Sequence, residues 1–268
     1  MPRFSPDGKR LLFDVFDASS GKIEMKVRDL VSGEVSLVTS DPRPLNPVWS
    51  PDGTQIAYSG LKAGAPAIYL RPSNTVGVEQ ERWKPKDGLA SVTDWTPNGK
   101  SLVLSERPFG TNLGRLSLLN VTGKEDPVPL IEVPGATVGW GRVSPDGKWI
   151  AYDSNESGRD EVYISSFPKP VGQLQISGSG GTQPRWRNDG KELYYLAPDK
   201  KLTAATLGHA DGSAQVLSTR MLFQTAVELE MYDAAPDGNH FVVDSTASDE
   251  SLAPLNLVIN WTAELKKK

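Results

Sequence analysis

The stretch Trp49–Tyr58, WSPDGTQIAY, decides the fold, because five further copies of it occur along the chain. The other copies read FSPDGKRLLF from Phe4, WTPNGKSLVL from Trp95, VSPDGKWIAY from Val143, WRNDGKELYY from Trp186 and AAPDGNHFVV from Ala234. Successive copies are separated by 45, 46, 48, 43 and 48 residues. A period in this range is typical of proteins that build one supersecondary unit per repeat.

Each copy predicts a tight β-hairpin turn. In Ser50-Pro51-Asp52-Gly53, proline presets φ near −65°, aspartate bonds to the local backbone, and glycine accepts a positive φ. A run of residues with high β-propensity follows, such as Gln55–Tyr58. The fifth copy has Asn188 in place of the proline, and this residue still suits the turn.

Two more β-rich runs follow each hairpin, and these complete a unit of about four strands. Examples are Ala67–Leu70 and the more polar Glu34–Val38. No window shows a sustained 3.6-residue apolar period, so no long helix is predicted. Four strands in a repeat of about 40–50 residues indicate a propeller blade. The sequence therefore predicts an all-β fold, a six-bladed β-propeller of four-stranded antiparallel blades.

The chain is predicted to form one propeller domain over residues 1–268. Its first and last blades are expected to be incomplete, because three residues precede the first motif and two strands follow Asp237, through Trp261. Either the last blade has three strands or the chain is a fragment of a longer protein, which is the interpretation we favour. The approximate blades are 1–40, 41–88, 89–134, 135–178, 179–226 and 227–268.

Composition excludes several classes of function. The net charge is −4, and the only dense basic run is Lys266–Lys268, whereas binding to duplex nucleic acid needs a clustered cationic face. The absence of cysteine excludes disulfides, thiolate metal sites and a cysteine nucleophile. No apolar run approaches the roughly 20 residues of a membrane span. The N-terminal residues do not resemble a signal peptide.

The repeated SPDG turn and the Ile-Ala-Tyr runs at Ile56 and Ile150 resemble the TolB-like family of six-bladed propellers over nearly the whole chain. The strings RDLVSGEVSLVTSDP, NPVWSPDG, QPRWRNDGKELYYLAPDKKL and LVINWTAELKK also resemble the C-terminal propeller of bacterial receptor Ser/Thr kinases. This second resemblance implies an extracytoplasmic sensor that one membrane helix joins to a cytoplasmic kinase. The chain has no HRD, DFG or kinase Gly-rich motif, so the resemblance implies no phosphoryl transfer by this chain.

The position just before each motif is charged in five of the six repeats, on the innermost strand of the blade. One interpretation is a polar ring near the central channel that holds an anionic ligand or a peptide terminus. The other, which we favour, is a set of compensating pairs, Arg142 with Asp94 and Arg185 with Asp233, because unpaired buried charges are costly. The residues are Arg3, Val48, Asp94, Arg142, Arg185 and Asp233.

The loops that enter the blades are candidate binding elements, since loops on a rigid scaffold commonly carry function. Trp140 lies between two glycines and is interpreted either as exposed or as packed against the next blade. The motif residues Trp49, Trp95 and Trp186 are interpreted as core. We predict a binding site at the entry loops and the innermost strands, composed of Asn46, Asp94, Trp140, Arg142, Gln183, Arg185, Tyr232 and Asp233.

Catalytic, metal and cofactor sites are not predicted. His209 and His240 are not placed like a triad, and no GxSxG motif occurs. The chain cannot supply three His or Cys ligands for zinc. Calcium stays open, because the stretch Asp153–Glu161 is rich in oxygen ligands, although we interpret it as a solvated loop.

The sequence therefore predicts a non-catalytic module that binds a protein, peptide or small ligand at one mouth of the channel. It would be the sensor of a receptor kinase or a TolB-like interaction module, extracytoplasmic by family resemblance only. The alternatives are a metal-dependent hydrolase of the lactonase or esterase type, an accessory propeller of a peptidase, and a structural fragment. A monomer is expected, and a strand-exchanged dimer through an unpaired edge of the last blade is the alternative.

Overall fold

The computed structural model describes residues 1–41, 43–74, 76–210, 213–224, 229–245 and 256–258. These ranges consist of strands, turns and irregular segments. No helix in them is long and apolar enough to cross a membrane. The predicted strand end at Ile259–Trp261 and the basic run Lys266–Lys268 lie outside the described residues.

The chain divides into two compact units, and the first comprises Met1 and Arg3–Gly141. Three four-stranded antiparallel sheets make up most of this unit, each with its strands in chain order. The first sheet contains β1 (Arg3–Phe4), β2 (Arg10–Asp17), β3 (Lys22–Asp29) and β4 (Val35–Thr39). The second contains β5 (Arg43–Trp49), β6 (Gln55–Lys62), β7 (Ala65–Pro72) and β8 (Gln80–Trp83). The third contains β9 (Leu89–Trp95), β10 (Ser101–Arg107), β11 (Arg115–Asn120) and β12 (Val128–Ile131).

The second unit comprises Pro2 and the described residues from Arg142 onward, so the boundary falls within β13. The fourth sheet contains β13 (Val138–Val143), β14 (Trp149–Ser154), β15 (Glu161–Ser166) and β16 (Leu174–Gln175). The fifth contains β17 (Thr182–Trp186), β18 (Glu192–Leu196), β19 (Lys201–Ala210) and β20 (Ser213–Gln224). The sixth has three strands among the described residues, β21 (Leu229–Ala234), β22 (Phe241–Ser245) and β23 (Asn256–Val258).

The repeated motif forms the turn that its sequence predicts, between the first two strands of each sheet. Gly53 has φ of 69°, and its N–H donates to the carbonyl of Ser50 at 2.9 Å. The Ser50 hydroxyl donates to Asp52 Oδ1 at 2.6 Å and accepts from the Gln55 N–H at 2.9 Å. The hydroxyl of Ser50 thereby holds the pKa of Asp52 below its usual range, because it stabilises the ionised carboxylate.

Two hydrophobic clusters in each unit lie between successive sheets of that unit. Trp49 packs with Tyr58 and Met25 between the first two sheets, and its indole N–H donates to the carbonyl of Arg3 at 3.3 Å. Trp186 makes the equivalent bond in the second unit, where its indole N–H donates to the carbonyl of Arg142 at 3.0 Å. Trp49 and Trp95 are buried, as predicted, whereas Trp186 is half-buried at the rim of its core.

Candidate binding site

Three of the predicted binding residues share a strained backbone conformation near the start of an inner strand. Asn46, Trp140 and Gln183 have φ of 51°, 50° and 57°, a left-handed region that residues other than glycine rarely adopt. The pairing register shifts around Asn46 in β5 and around Gln183 in β17, so both lie in β-bulges. Bulges aim side chains away from the regular ladder and are common beside functional sites.

Neighbouring strands hold the bulge at Gln183 from both sides. The Gln183 N–H donates to Asp153 Oδ2 at 3.1 Å, and the Gln183 carbonyl accepts from the Tyr232 hydroxyl at 2.9 Å. Tyr232 is fully buried, and Asp153 and Gln183 are nearly so. Strained conformations persist only where the surroundings over-determine them, and these two bonds provide that support.

Arg185, two residues further along β17, forms the ion pair that the sequence suggested. Its Nε lies 3.3 Å from Asp233 Oδ1, and its guanidinium carbon lies 5.6 Å from the centre of the Tyr232 ring. Its Nη1 donates to the carbonyl of Pro184 at 2.8 Å. Four of the eight predicted residues therefore come together in the second unit: Gln183, Arg185, Tyr232 and Asp233.

Of the other predicted residues, Arg142 lies in the second unit, whereas Asn46, Asp94 and Trp140 lie in the first. Arg142 is buried, and its carbonyl accepts from the Trp186 indole. Asn46 Nδ2 donates to Ser91 Oγ at 3.2 Å, and Asp94 is half-buried opposite Val103. Trp140 is half-buried rather than exposed. The pair of Arg142 with Asp94 joins residues of different units and stays a prediction.

The interpretation of Asp153–Glu161 as a solvated loop is wrong at both ends of that stretch. Residues 155–160 are exposed, but Asp153 is 7% exposed and Glu161 is 0% exposed. Glu161 is buried because its carboxylate accepts from the Gly180 N–H at 3.0 Å, from the Ser177 hydroxyl and from Arg159 Nε at 2.6 Å. The sequence pattern did not indicate these partners, since Ser177 and Gly180 follow Glu161 by 16 and 19 residues.

Asp153 has an unusual electrostatic environment. Burial raises the pKa of Asp153 to about 7, because it disfavours the ionised form. The hydrogen bond from the Gln183 N–H lowers the pKa but does not outweigh burial. The nearby charge of Asp160 raises the pKa further, whereas Arg185 lowers it. A carboxyl group that titrates near neutral pH therefore contacts the backbone of the bulge.

A cavity of about 350 Å³ opens beside Gln183, entirely within the second unit. Its walls are the loop between β14 and β15, the segment 180–183, and the turn between β18 and β19. Arg159, Asp160 and Lys200 supply charged groups on these walls. None of the three was among the predicted binding residues, although the glycine-rich run from Gly178 to Gly181, two residues before Gln183, is a signal that backbone lines a site.

Metal-binding geometry is absent from the described parts of the chain, where no three His, Asp or Glu side chains are grouped to hold an ion. His240 contacts the carboxylate of Asp237 through Nδ1 within its hairpin turn. The backbone of His209 lies on β19.

Successive antiparallel sheets, one per sequence repeat, define the class of this protein as a β-propeller. Residues 44–258 match the family model of the TolB beta propeller domain, and the chain belongs to that family. The TolB resemblance and the all-β fold are thereby confirmed. The number of blades and the kinase resemblance stay predictions.

Relatives support the same assignment. The chain is 27% identical to the Tol-Pal system protein TolB of Francisella tularensis subsp. holarctica over 165 residues, which cover 58% of this chain and 35% of that protein. It is 29% identical to the uncharacterized peptidase YuxL of Bacillus subtilis over 164 residues, which cover 60% of this chain and 22% of that protein. The chain thus spans about a third or less of the length of these curated relatives.

The crystal structure of TolB from Acinetobacter baumannii is similar in fold, with a TM-score of 0.72 and 18% identity. The similarity covers 91% of this chain and 60% of that one. This similarity shows the fold alone.

Proposed function

We propose that this chain is a non-catalytic module that binds a segment of another protein on the side of the fifth sheet where β17 begins. The observation that carries the proposal is the bulge at Gln183, which Asp153 and Tyr232 fix beside the cavity. A rigid backbone next to variable loops is the arrangement from which propellers and other scaffolds recognise partners.

The cavity suits recognition of a polar segment. Its volume of about 350 Å³ lies within the range of small-ligand sites, and a short stretch of side chains fills such a space. The positive charges of Arg159 and Lys200 favour an acidic group on the partner. The carboxylate of Asp160 favours a basic group of the partner on its side of the cavity. Arg159 is itself oriented by Glu161 and by the carbonyl of Gly178 at 2.9 Å.

A charge reversal on the cavity wall tests this proposal. Immobilised wild-type chain and the Lys200→Glu variant are exposed to the extracytoplasmic fraction of the source bacterium, and the captured proteins are identified by mass spectrometry. The matched control is Lys191→Glu, in the turn at the opposite end of β18. We expect a partner that wild type and Lys191→Glu retain and Lys200→Glu loses. Its affinity is then measured by calorimetry. Identical captured sets for all three baits would place binding elsewhere.

The family supports a location for the chain, and the kinase resemblance supports a parent protein. Relationship to Tol-Pal system proteins supports an extracytoplasmic location, and the kinase resemblance supports the sensor part of a bacterial receptor Ser/Thr kinase. The gene upstream of Met1 tests the second statement. A kinase domain followed by an apolar span of about 20 residues is the expected result, and a different upstream domain contradicts it.

An accessory propeller of a peptidase is the second candidate, because the chain is similar to YuxL over 60% of its length. This candidate predicts a hydrolase segment in the same gene, with a serine nucleophile on a strand-to-helix elbow. The same gene sequence therefore separates the two candidates. The lactonase or esterase alternative stays a prediction, and a screen of the purified chain with divalent ions and lactones tests it.

A further inference from the structure

A second cavity, of about 570 Å³, lies within the first unit and is distinct from the proposed protein-binding cavity. The start of β6, the end of β7, strand β8 and the loop 121–124 after β11 form its walls. Three cationic residues, Arg71, Arg82 and Lys124, line it, together with one carboxylate, that of Glu81. Lys84 already pairs with Glu81 at 2.9 Å, so the cavity has an excess of positive charge.

Arg82 is fixed on the cavity wall by hydrogen bonds to backbone carbonyls, and the charge of Glu125 acts on it from nearby. Its Nε donates to the carbonyls of Asn120 and Val121 at 2.7 and 3.1 Å, which pins the side chain between β8 and the loop 121–124. Its Nη2 is buried and has no hydrogen-bond partner among the described residues. Burial lowers the pKa of Arg82, since desolvation disfavours the charged form. An anion in the cavity would offset this cost through its charge.

Arg71 is the more deeply buried of the two arginines, at 4% exposure. Backbone carbonyls hold it, because it donates to Val38 and, at 2.8 Å, to Gly77. The carboxylate of Glu79 lies 3.8 Å from its Nη1 and makes a weak pair at most. Its Nε is also buried without a partner in the described part of the chain.

The remaining walls of the cavity indicate which chemical group would accompany the anionic group of a ligand. Leu70, Pro72 and Val121 give the cavity an apolar side, and the amides of Gln55 and Gln80 lie beside it. The volume exceeds what a lone tetrahedral anion needs and falls in the range of sites for small organic ligands. Guanidinium groups match the geometry of phosphate oxygens.

We infer that this cavity is a binding site for a small organic phosphate. The phosphate group would lie between Arg82 and Lys124, with the charge of Arg71 behind them. The organic part would contact the wall of Leu70, Pro72 and Val121. This site is independent of the proposed function, which rests on residues of the second unit.

Calorimetric titration of the purified chain with glucose 6-phosphate tests the inference, with glucose and inorganic phosphate as separate arms. We expect saturable binding of glucose 6-phosphate that is at least about tenfold tighter than that of glucose, because the phosphate supplies the charge-assisted bonds. No binding of either phosphate up to millimolar concentration, or equal binding of glucose, would overturn the inference. Equal affinities for glucose 6-phosphate and inorganic phosphate would overturn the assignment of an organic part.

Lys124→Glu, an exposed residue on the cavity wall, provides the matched variant, and Lys62→Glu at the end of β6 provides the control with the same charge change. We expect Lys124→Glu to weaken glucose 6-phosphate binding about tenfold and Lys62→Glu to change it less than about twofold. Thermal unfolding of both variants checks that they fold as wild type does. Equal weakening by both variants would show general charge attraction and would overturn the inference.

Discussion

The two ends of the second, fourth and fifth sheets differ in which residues adopt a left-handed backbone conformation. At the end with the repeated motif, glycine supplies the positive φ in all six turns, with values between 68° and 72°. Towards the opposite end, where the inner strands begin and the second and third strands are joined, residues other than glycine adopt it as well, beside glycines such as Gly21, Gly64 and Gly158. Every positive-φ residue other than glycine among the described residues lies there: Asn46, Ala63, Trp140, Gln183 and Lys200.

Under the proposed function, the end with the repeated motif carries the fold and the opposite end carries the binding site. Glycine at the motif turns removes strain, so the hairpins form in each repeat at little cost. Strained residues at the other end reduce stability, and such strain is typical of binding sites. Gln183 and Lys200 both line the cavity of the proposed binding site.

The largest predicted effect comes from breaking the ion pair of Arg185 with Asp233, which follows the bulge at Gln183 along β17. Asp233→Leu removes the carboxylate that lies beside Arg185, and we expect a loss of about 3 kcal/mol in the free energy of unfolding. Replacing both residues by leucine is expected to recover most of this loss, because no charge is then left without its partner. Urea unfolding of the wild type, the two single variants and the double variant measures the coupling. A loss in the double variant equal to the sum of the two single losses would contradict this coupling.

An intermediate effect is predicted for Asp153, whose pKa of about 7 in the folded state is above its usual value of 3.8. The folded state holds a proton that the unfolded state has lost between these values, so stability falls as pH rises through this window. Asp153→Asn keeps an acceptor for the Gln183 N–H and removes the charge. We expect it to stabilise the chain at pH 8 by on the order of 2 kcal/mol, and to have little effect near pH 4.

Unfolding at pH 4, 6 and 8 checks this prediction, with Asp87→Asn as the exposed control in the first unit. The control is expected to show no such trend. A stabilisation by Asp153→Asn that is the same at all three pH values would mean that the carboxyl group does not titrate in this window.

The smallest effect compares one turn from each end directly. Gly147 has φ of 68° with no atom within 4 Å of an added Cβ, so Gly147→Ala adds conformational strain alone. We expect it to destabilise by about 1 kcal/mol. Ala63 has φ of 50° in the exposed turn between β6 and β7, and Ala63→Gly is expected to stabilise by about 0.5 kcal/mol. Thermal and urea unfolding measure both. Effects of the same sign would remove the contrast between the ends.

The sequence predicted the repeated turns because Ser-Pro-Asp-Gly carries its own local chemistry, as Ser50 and Gly53 show. It predicted four members of the cluster in the second unit from their position in the repeat, including the pair of Arg185 with Asp233. It could not predict the conformation of Gln183, since a left-handed residue other than glycine leaves no mark in the sequence. The burial of Asp153 and Glu161 depends on partners distant in sequence, so local composition suggested a solvated loop instead.

The tryptophan bonds between sheets have an evolutionary consequence. Trp49 bonds to a carbonyl 46 residues earlier, and Trp186 bonds to one 44 residues earlier, so donor and acceptor are one repeat apart. A tandem duplication of one such repeat would therefore bring a new indole and a new carbonyl at the correct spacing. The added sheet would be linked to its predecessor from the moment it arose, which offers a simple path by which the gene could lengthen without losing a folded product.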